Sequence, residues 1–191
     1  MDSLPKVTIA ILNYNGRKFF DEFLPSVLAV RYPNYEIWVI DNASTDDSVA
    51  HLRSHFPAVK IVENPWNGGY AEGYNMGLRK IDAELVLLLN SDVAVHPDFL
   101  EPLVASINQP GVFAVQPKIL SYTYPTQFEY AGAGGGMIDN LGYPFCRGRI
   151  LDTVESDEGQ YNDEGEIFWA SGAACLIRKN VFGQLGGFYG Y

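Results

Sequence analysis

Four short polar clusters in this chain have the residue types that can hold an anionic, oxygen-rich ligand. They are Asn13-Tyr14-Asn15, Asp41-Asn42, Asn67-Gly68-Gly69 and Asn90-Ser91-Asp92. Asp92 follows an apolar run, 85–89, and two polar residues. A carboxylate at the rim of a buried segment is costly unless it is paired, hydrated or bound to a metal. Magnesium and manganese take oxygen ligands, often only one or two from protein, and phosphate oxygens supply others. Asp92 is therefore a candidate single anchor for a metal-bound diphosphate. Its competing reading is a turn or helix-capping aspartate ahead of His96-Pro97. Asp41 has the chemistry to accept hydrogen bonds from a nucleobase or ribose. It also suits a helix cap, although Ser44 and Thr45 fit that task as well. Gly68 and Gly69 either let the backbone approach a ligand closely or make a tight turn.

The elements that must position these clusters follow from hydrophobic periodicity. The apolar run 7–12 stops at Asn13 and reads as a buried strand. Phe19, Phe23 and Val27, with Phe20, Leu24 and Leu28, repeat at helical spacing, and Pro25 is a candidate kink. A second strand spans 35–40. Ser44 and Asp47 have capping-box spacing ahead of a helix that buries Val49, Leu52 and Phe56. A third strand spans 59–62, and Tyr70, Tyr74 and Leu78 mark the next helix. The run 85–89 is the most apolar strand and belongs at the centre of the sheet. Phe99, Leu100, Leu103, Val104 and Ile107 form an amphipathic helix. Strands separated by helices imply a mostly parallel sheet with right-handed crossovers. In such a sheet ligands bind beyond the carboxyl ends of the strands, so all four clusters converge on one edge. From 121 to 166 the rhythm breaks into Gly-, Tyr- and acid-rich sequence, read as a loop-rich hairpin insertion within a single domain over 1–191. Regular structure resumes at Ile167-Phe168-Trp169 and at 173–177.

Composition narrows the partners. The 191 residues are enough for one core, and the 47% hydrophobic share fits a folded chain. A net charge of −10 argues against nucleic acid, whose phosphates need a basic face. An acidic protein can still hold a diphosphate through a divalent cation. No run reaches the roughly 18 apolar residues of a membrane span. Residues 1–6 lack a signal-peptide pattern, so the expected location is cytoplasmic. Cys146 and Cys175 lack metal-site spacing and read as reduced thiols. His51 and His55 lie four apart, but Leu52 stands where a zincin glutamate would be needed, so an exposed helix face is expected. The run from Gly132 to Gly136 lacks the strand-before, helix-after context of a phosphate loop and reads as a flexible hairpin. Tyr122, Tyr124, Phe128 and Tyr130 read as packing residues, with a sugar groove as the alternative.

Taken together, the chain resembles the family 2 glycosyltransferases of the GT-A fold over nearly its whole length. The matching stretches are 7–15, 39–46, Asn67-Gly68-Gly69 with Asn75-Met76-Gly77, Leu88-Leu89-Asn90-Ser91-Asp92 and Ser171-Gly172-Ala173-Ala174. The resemblance implies a Rossmann-like three-layer α/β/α sandwich with a mostly parallel central sheet. It implies a nucleoside-diphosphate-sugar donor, a Mn2+ or Mg2+ cofactor and a glycan or lipid-linked acceptor. Asn13 and Asp41 would contact base and ribose, and Asn67 and Gly68 would lie against the base. Asn90-Ser91-Asp92 replaces the family's Asp-x-Asp motif, with Asn90 near the ribose and Asp92 on the metal. Asn15, Asn75 and Ser91 count with the nucleotide-binding set. The cation would act as a Lewis acid on the departing diphosphate, and such enzymes usually invert by direct displacement with a carboxylate base.

Two departures from the family pattern matter. Asn90 stands where many relatives have Asp, which removes one negative charge. The family's catalytic acid follows a Gly-Gly-Phe segment like Gly186-Gly187-Phe188, so the base is expected beyond Tyr191, with the rest of the acceptor side. The expectation is a chain that binds metal and nucleotide but transfers sugar weakly or not at all, peripheral to the inner membrane face when part of a longer protein. The stretches Asn13-Tyr14-Asn15-Gly16 and 132–149 are most similar to transferases of bacterial surface polysaccharides, including rhamnosyltransferases. Alternatives are a non-catalytic sugar-nucleotide-binding module and a nucleotidyltransferase. The latter needs a basic Gly-rich N-terminal loop that Asn15-Gly16-Arg17-Lys18 only hints at.

Overall fold

The computed structural model describes residues 4–130 and 132–189. Part of the N-terminal signal reading, residues 1–3, lies outside them. The first half alternates as the periodicity requires. Its order is β1 (Val7–Asn13), α1 (Arg17–Leu28), β2 (Tyr35–Asp41), α2 (Ser48–His55), β3 (Lys60–Glu63), α3 (Gly69–Arg79), β4 (Leu85–Asn90) and α4 (Leu100–Ile107). There follow β5 (Ala114–Val115), β6 (Gly136–Ile138), β7 (Pro144–Cys146), β8 (Arg149–Ile150), β9 (Thr153–Val154), β10 (Ala174–Arg178) and α5 (Lys179–Gln184).

The main sheet has the order β3-β2-β1-β4-β10-β5. Strands β1 to β4 run parallel, while β10 is antiparallel to both β4 and β5. The sheet is thus mostly parallel with one reversed strand. Strand β4 sits inside it, buried from Leu85 to Leu89 as its composition requires. Leu85, Leu87 and Leu89 face one core with Phe20, Leu24 and Val27 of α1, Leu52 of α2 and Leu100 and Leu103 of α4. Val86 and Leu88 face the other core with Tyr74 and Leu78 of α3 and Phe182 of α5. This alternation along a strand buried on both faces gives the three layers. Helix α3 lies so close that a Cβ on Gly77 would come 2.4 Å from Ile40 Cγ2.

Several sequence expectations need correction. The capping box does not form: the α2 N-cap is Asp47, without a side-chain cap bond, and Ser44 turns toward β1 instead. His51 is buried, not exposed; its Nε2 lies 2.7 Å from Asp21 Oδ1, and its ring stacks on His55 at 4.2 Å. Helix α1 continues through Pro25. Ile167-Phe168-Trp169 contributes one bridge, Gly136 with Trp169, and no strand. Of the four insertion aromatics, only Phe128 is buried. Tyr122 is exposed yet meets Phe23 edge-on at 4.9 Å, and Tyr124 and Tyr130 are exposed. The insertion forms a four-stranded antiparallel sheet, β6-β7-β8-β9. The Gly132–136 run feeds β6, where Gly136 accepts hydrogen bonds from Phe168 and Trp169, so it is a packed hairpin base. Both cysteines are free and buried, and burial pushes the Cys175 thiol up to about 12.

Candidate functional site

Register builds the site. Parallel pairing sets Asn13 beside Asp41, and Leu12 beside Asn90, so the tips of β1, β2 and β4 end at one edge. Asn13, Asp41 and Asn90 therefore share a rim, and Ser91-Asp92 turns directly beyond it.

The left flank of this rim is a closed network. Asn13 Nδ2 donates to Asp41 Oδ1 and to Ser44 Oγ, both at 3.0 Å, and Asn13 Oδ1 accepts from Gly16 N at 3.1 Å. Asp41 Oδ2 accepts from Ser44 N at 3.0 Å. Asn13 and Asp41 are 1% and 2% exposed, so their mutual bond and that to Gly16 are buried, those to Ser44 are partly buried, and together they shape the loop ends. Asn15, at a φ of 52°, bridges the loops after β1 and β2: its Oδ1 accepts from Thr45 N at 2.7 Å. Asn67 is exposed; its Oδ1 accepts from Asn42 Nδ2 at 2.8 Å and Gly69 N at 2.9 Å. Gly68 is half-buried and donates its N–H to Asn42 Oδ1 at 3.3 Å. Asn42, named in the sequence only as part of the Asp41-Asn42 cluster, has no individual role predicted for it there. It also accepts from Asn64 Nδ2, so it organises the whole 64–69 loop. The signal was its place directly after Asp41.

Asn75 has a different engagement from the one expected. It is buried on α3, where its Nδ2 donates to Phe188 O at 2.9 Å and to Glu72 Oε2 at 3.2 Å, and its Oδ1 accepts from Phe188 N at 2.9 Å. Its amide holds the Gly-Gly-Phe turn and leaves little for a nucleotide.

The right flank is open. Asn90 N donates to Ala173 O at 2.9 Å, which seats the tip of β4 against the residue before β10. Asn90 and Ser91 are half-buried and Asp92 is exposed. The Asp92 carboxylate has no hydrogen-bond or ion-pair partner among the described residues. It is not a cap: α4 starts at Leu100 behind Phe99, with no side-chain cap bond. Among the described residues no three His, Cys, Asp or Glu side chains cluster as a metal cage. The donor set fits a hard cation that takes one carboxylate oxygen from protein and completes its shell with ligand oxygens and water.

An α/β sheet of this order, with its polar strand tips gathered at the carboxyl edge, has the architecture of the GT-A glycosyltransferases. The chain belongs to glycosyl transferase family 2, whose sequence model matches residues 8–186. It is 30% identical to the O-antigen biosynthesis protein RfbC of Myxococcus xanthus over 96% of this chain and 14% of that protein. It is 27% identical to the N-acetylglucosaminyl-diphospho-decaprenol L-rhamnosyltransferase of Mycobacterium tuberculosis, over 98% of this chain and 65% of that protein. In fold it matches the mannosyltransferase PcManGT from Pyrobaculum calidifontis in complex with GDP-Man and Mn2+. The TM-score is 0.68 at 22% identity, over 98% of this chain and 48% of that one. The S. aureus TarS 1-349 structure in complex with UDP matches with a TM-score of 0.65 at 18% identity, over 96% and 50%. The chain thus spans less than two thirds of the length of these relatives. No helix among the described residues is long and apolar enough to cross a membrane.

Proposed function

We propose that this chain binds a nucleoside-diphosphate sugar together with Mn2+ or Mg2+, for inverting transfer of the sugar to a glycan or lipid-linked acceptor. The observation that carries the reading is the exposed, unpartnered Asp92 carboxylate beyond the central apolar strand, beside a rim of buried, hydrogen-bonded amides. The family membership and the GDP-Man and Mn2+ of the PcManGT structure support it.

In this reading Asp92 anchors the cation, and Asn90 and Ser91 offer polar atoms to ribose and phosphate. Asn13, Asn15 and Asp41 fix the loops against which nucleoside would lie, and Asp41 keeps lone pairs for a further donor. Asn67 Nδ2 and the Gly68 backbone face the base. Asn75 acts in the fold and leaves the nucleotide set. The bound cation would supply charge neutralisation for the departing diphosphate. The protein residues bind, orient and hold that diphosphate at the rim. The lipid-linked acceptor named for the mycobacterial relative supports an acceptor at a membrane face, with this domain on the cytoplasmic side.

Calorimetric titration with UDP, GDP and dTDP, each with and without Mn2+, tests the reading. The expected result is metal-enhanced binding of at least one of them, lost in Asp92→Asn. Metal-independent binding that survives Asp92→Asn would sink the metal assignment.

A further inference from the structure

We propose that Tyr70 is a positioning residue: it latches the nucleoside flank of the rim to the strand tip that carries Asp92. The inference rests on the nucleotide-sugar reading above. Tyr70 lies in the first turn of α3, directly after Gly69, whose carbonyl accepts from Asn42 Nδ2 at 3.0 Å. The Tyr70 hydroxyl donates to Gly172 O at 2.8 Å, joining positions 102 residues apart. The next residue, Ala173, gives its carbonyl to Asn90 N at 2.9 Å. A continuous path therefore runs from Asn42 through Gly69, Tyr70 and Gly172 to Asn90, two residues before Asp92.

The fit at Gly172 is tight. A Cβ there would come within 2.0 Å of the Tyr70 hydroxyl, so only glycine admits the contact. The Tyr70 ring is held from two sides, by Tyr74 at 4.9 Å and Phe188 at 5.7 Å between centroids. Tyr74 is fully buried, and its hydroxyl reaches the carbonyls of Ala10 in β1 and Leu89 in β4 at 3.2 Å each. Phe188 is fixed by Asn75 through both backbone groups. The 171–173 segment is otherwise tied away from the nucleoside flank: Ser171 N donates to Gln116 Oε1 at 2.7 Å, and Gln116 Nε2 donates to Gly132 O at 2.9 Å. Among the described residues the Tyr70 hydroxyl supplies the side-chain hydrogen bond between the 67–70 loop and 171–173.

A plain packing role would be met equally well by phenylalanine, so Tyr70→Phe separates the two. Without ligand, amide hydrogen exchange at Asn90 and across 171–174 should accelerate about three- to tenfold, the range set by one neutral hydrogen bond, while β2 amides keep their rates. In calorimetry with Mn2+ and UDP, GDP or dTDP, the dissociation constant should rise by a similar factor, about three- to tenfold. The metal-free titration should be unchanged, and Tyr70→Phe should add nothing in an Asp92→Asn background. Gly172→Ala, which displaces the hydroxyl, should reproduce the effect. Unchanged exchange at Asn90, or equal losses with and without metal, overturns the latch. A wild-type chain that binds a nucleotide which Tyr70→Phe binds equally well overturns the latch alone. A wild-type chain that binds none of the three overturns the nucleotide reading and the latch together.

Discussion

The two flanks of the rim use polar side chains in opposite ways. On the flank formed by the tips of β1 and β2, Asn13 and Asp41 are buried and bonded to each other and to Ser44, and Asn42 ties down the loop carrying Asn67 and Gly68. On the other flank Asp92 is exposed and bonded to no other described residue. Polar groups buried with partners rigidify a site, because leaving any of them unpaired costs the full desolvation of that group. A lone carboxylate at an open edge contributes little to folding and leaves its oxygens unengaged by the protein. One flank is therefore preorganised shape, and the other is unused valence.

The sharpest way to break this comparison is to exchange the effects of mutation. Asp92→Asn keeps the size and removes the charge. It is expected to weaken Mn2+-dependent nucleotide binding about 10- to 100-fold, the scale seen when a metal's supporting groups are changed, while thermal stability stays within about 0.5 kcal/mol, as for exposed substitutions. Calorimetry and a melting curve on the same sample check both. A large fall in stability would show that Asp92 is structural after all. Asp41→Ala should do the reverse. It removes the acceptor of one Asn13 Nδ2 hydrogen, whose other bond to Ser44 Oγ remains, and of the half-buried Ser44 N–H, at a cost of about 1–3 kcal/mol in urea unfolding. An unchanged unfolding midpoint would mean that the left flank is not a closed network.

The same contrast explains what the sequence revealed. Strands β1, β2 and β4 were legible because their runs are apolar and end abruptly in polar residues, and parallel pairing does the rest. The exposed place of Asp92 at the rim was legible because a charge follows five buried residues and two polar ones. The reversed direction of β10 was not, since 173–177 is apolar whichever way it runs. Ser44 and Asp47 have the local spacing of a capping box, yet Ser44 bonds to Asn13, 31 residues away, and local spacing carries no sign of that tertiary competitor. His51 was misplaced for a similar reason: its Asp21 partner lies on another helix. Asn75 fits the family pattern, but its amide is spent on Phe188, 113 residues later, and only the folded chain brings them together.

A smaller effect sharpens the comparison from the other end of the sheet, where Glu36 lies at the amino-terminal part of β2. Burial pushes its carboxyl up, but hydrogen bonds from Lys60, Lys6 and Trp38 outweigh that and hold it at about 2, against an ordinary 4.5. Lys60 Nζ lies 2.7 Å from Oε2, and Lys6 Nζ lies 2.9 Å from Oε1. A carboxyl depressed in the folded state stabilises the fold fully above the unfolded value. That contribution is lost as pH falls from about 4.5 toward about 2. Both lysines are about half exposed, so solvent screening reduces the contribution to roughly 1 kcal/mol. Glu36→Gln should lower the melting temperature at pH 7 and flatten the part of the acid limb that Glu36 supplies. Nucleotide affinity at pH 7 should be unchanged, because this ion cluster is remote from the rim. A Glu36→Gln chain whose nucleotide binding falls together with its stability would mean that the two ends of the sheet are coupled, and that the division of labour drawn along the carboxyl edge is too local.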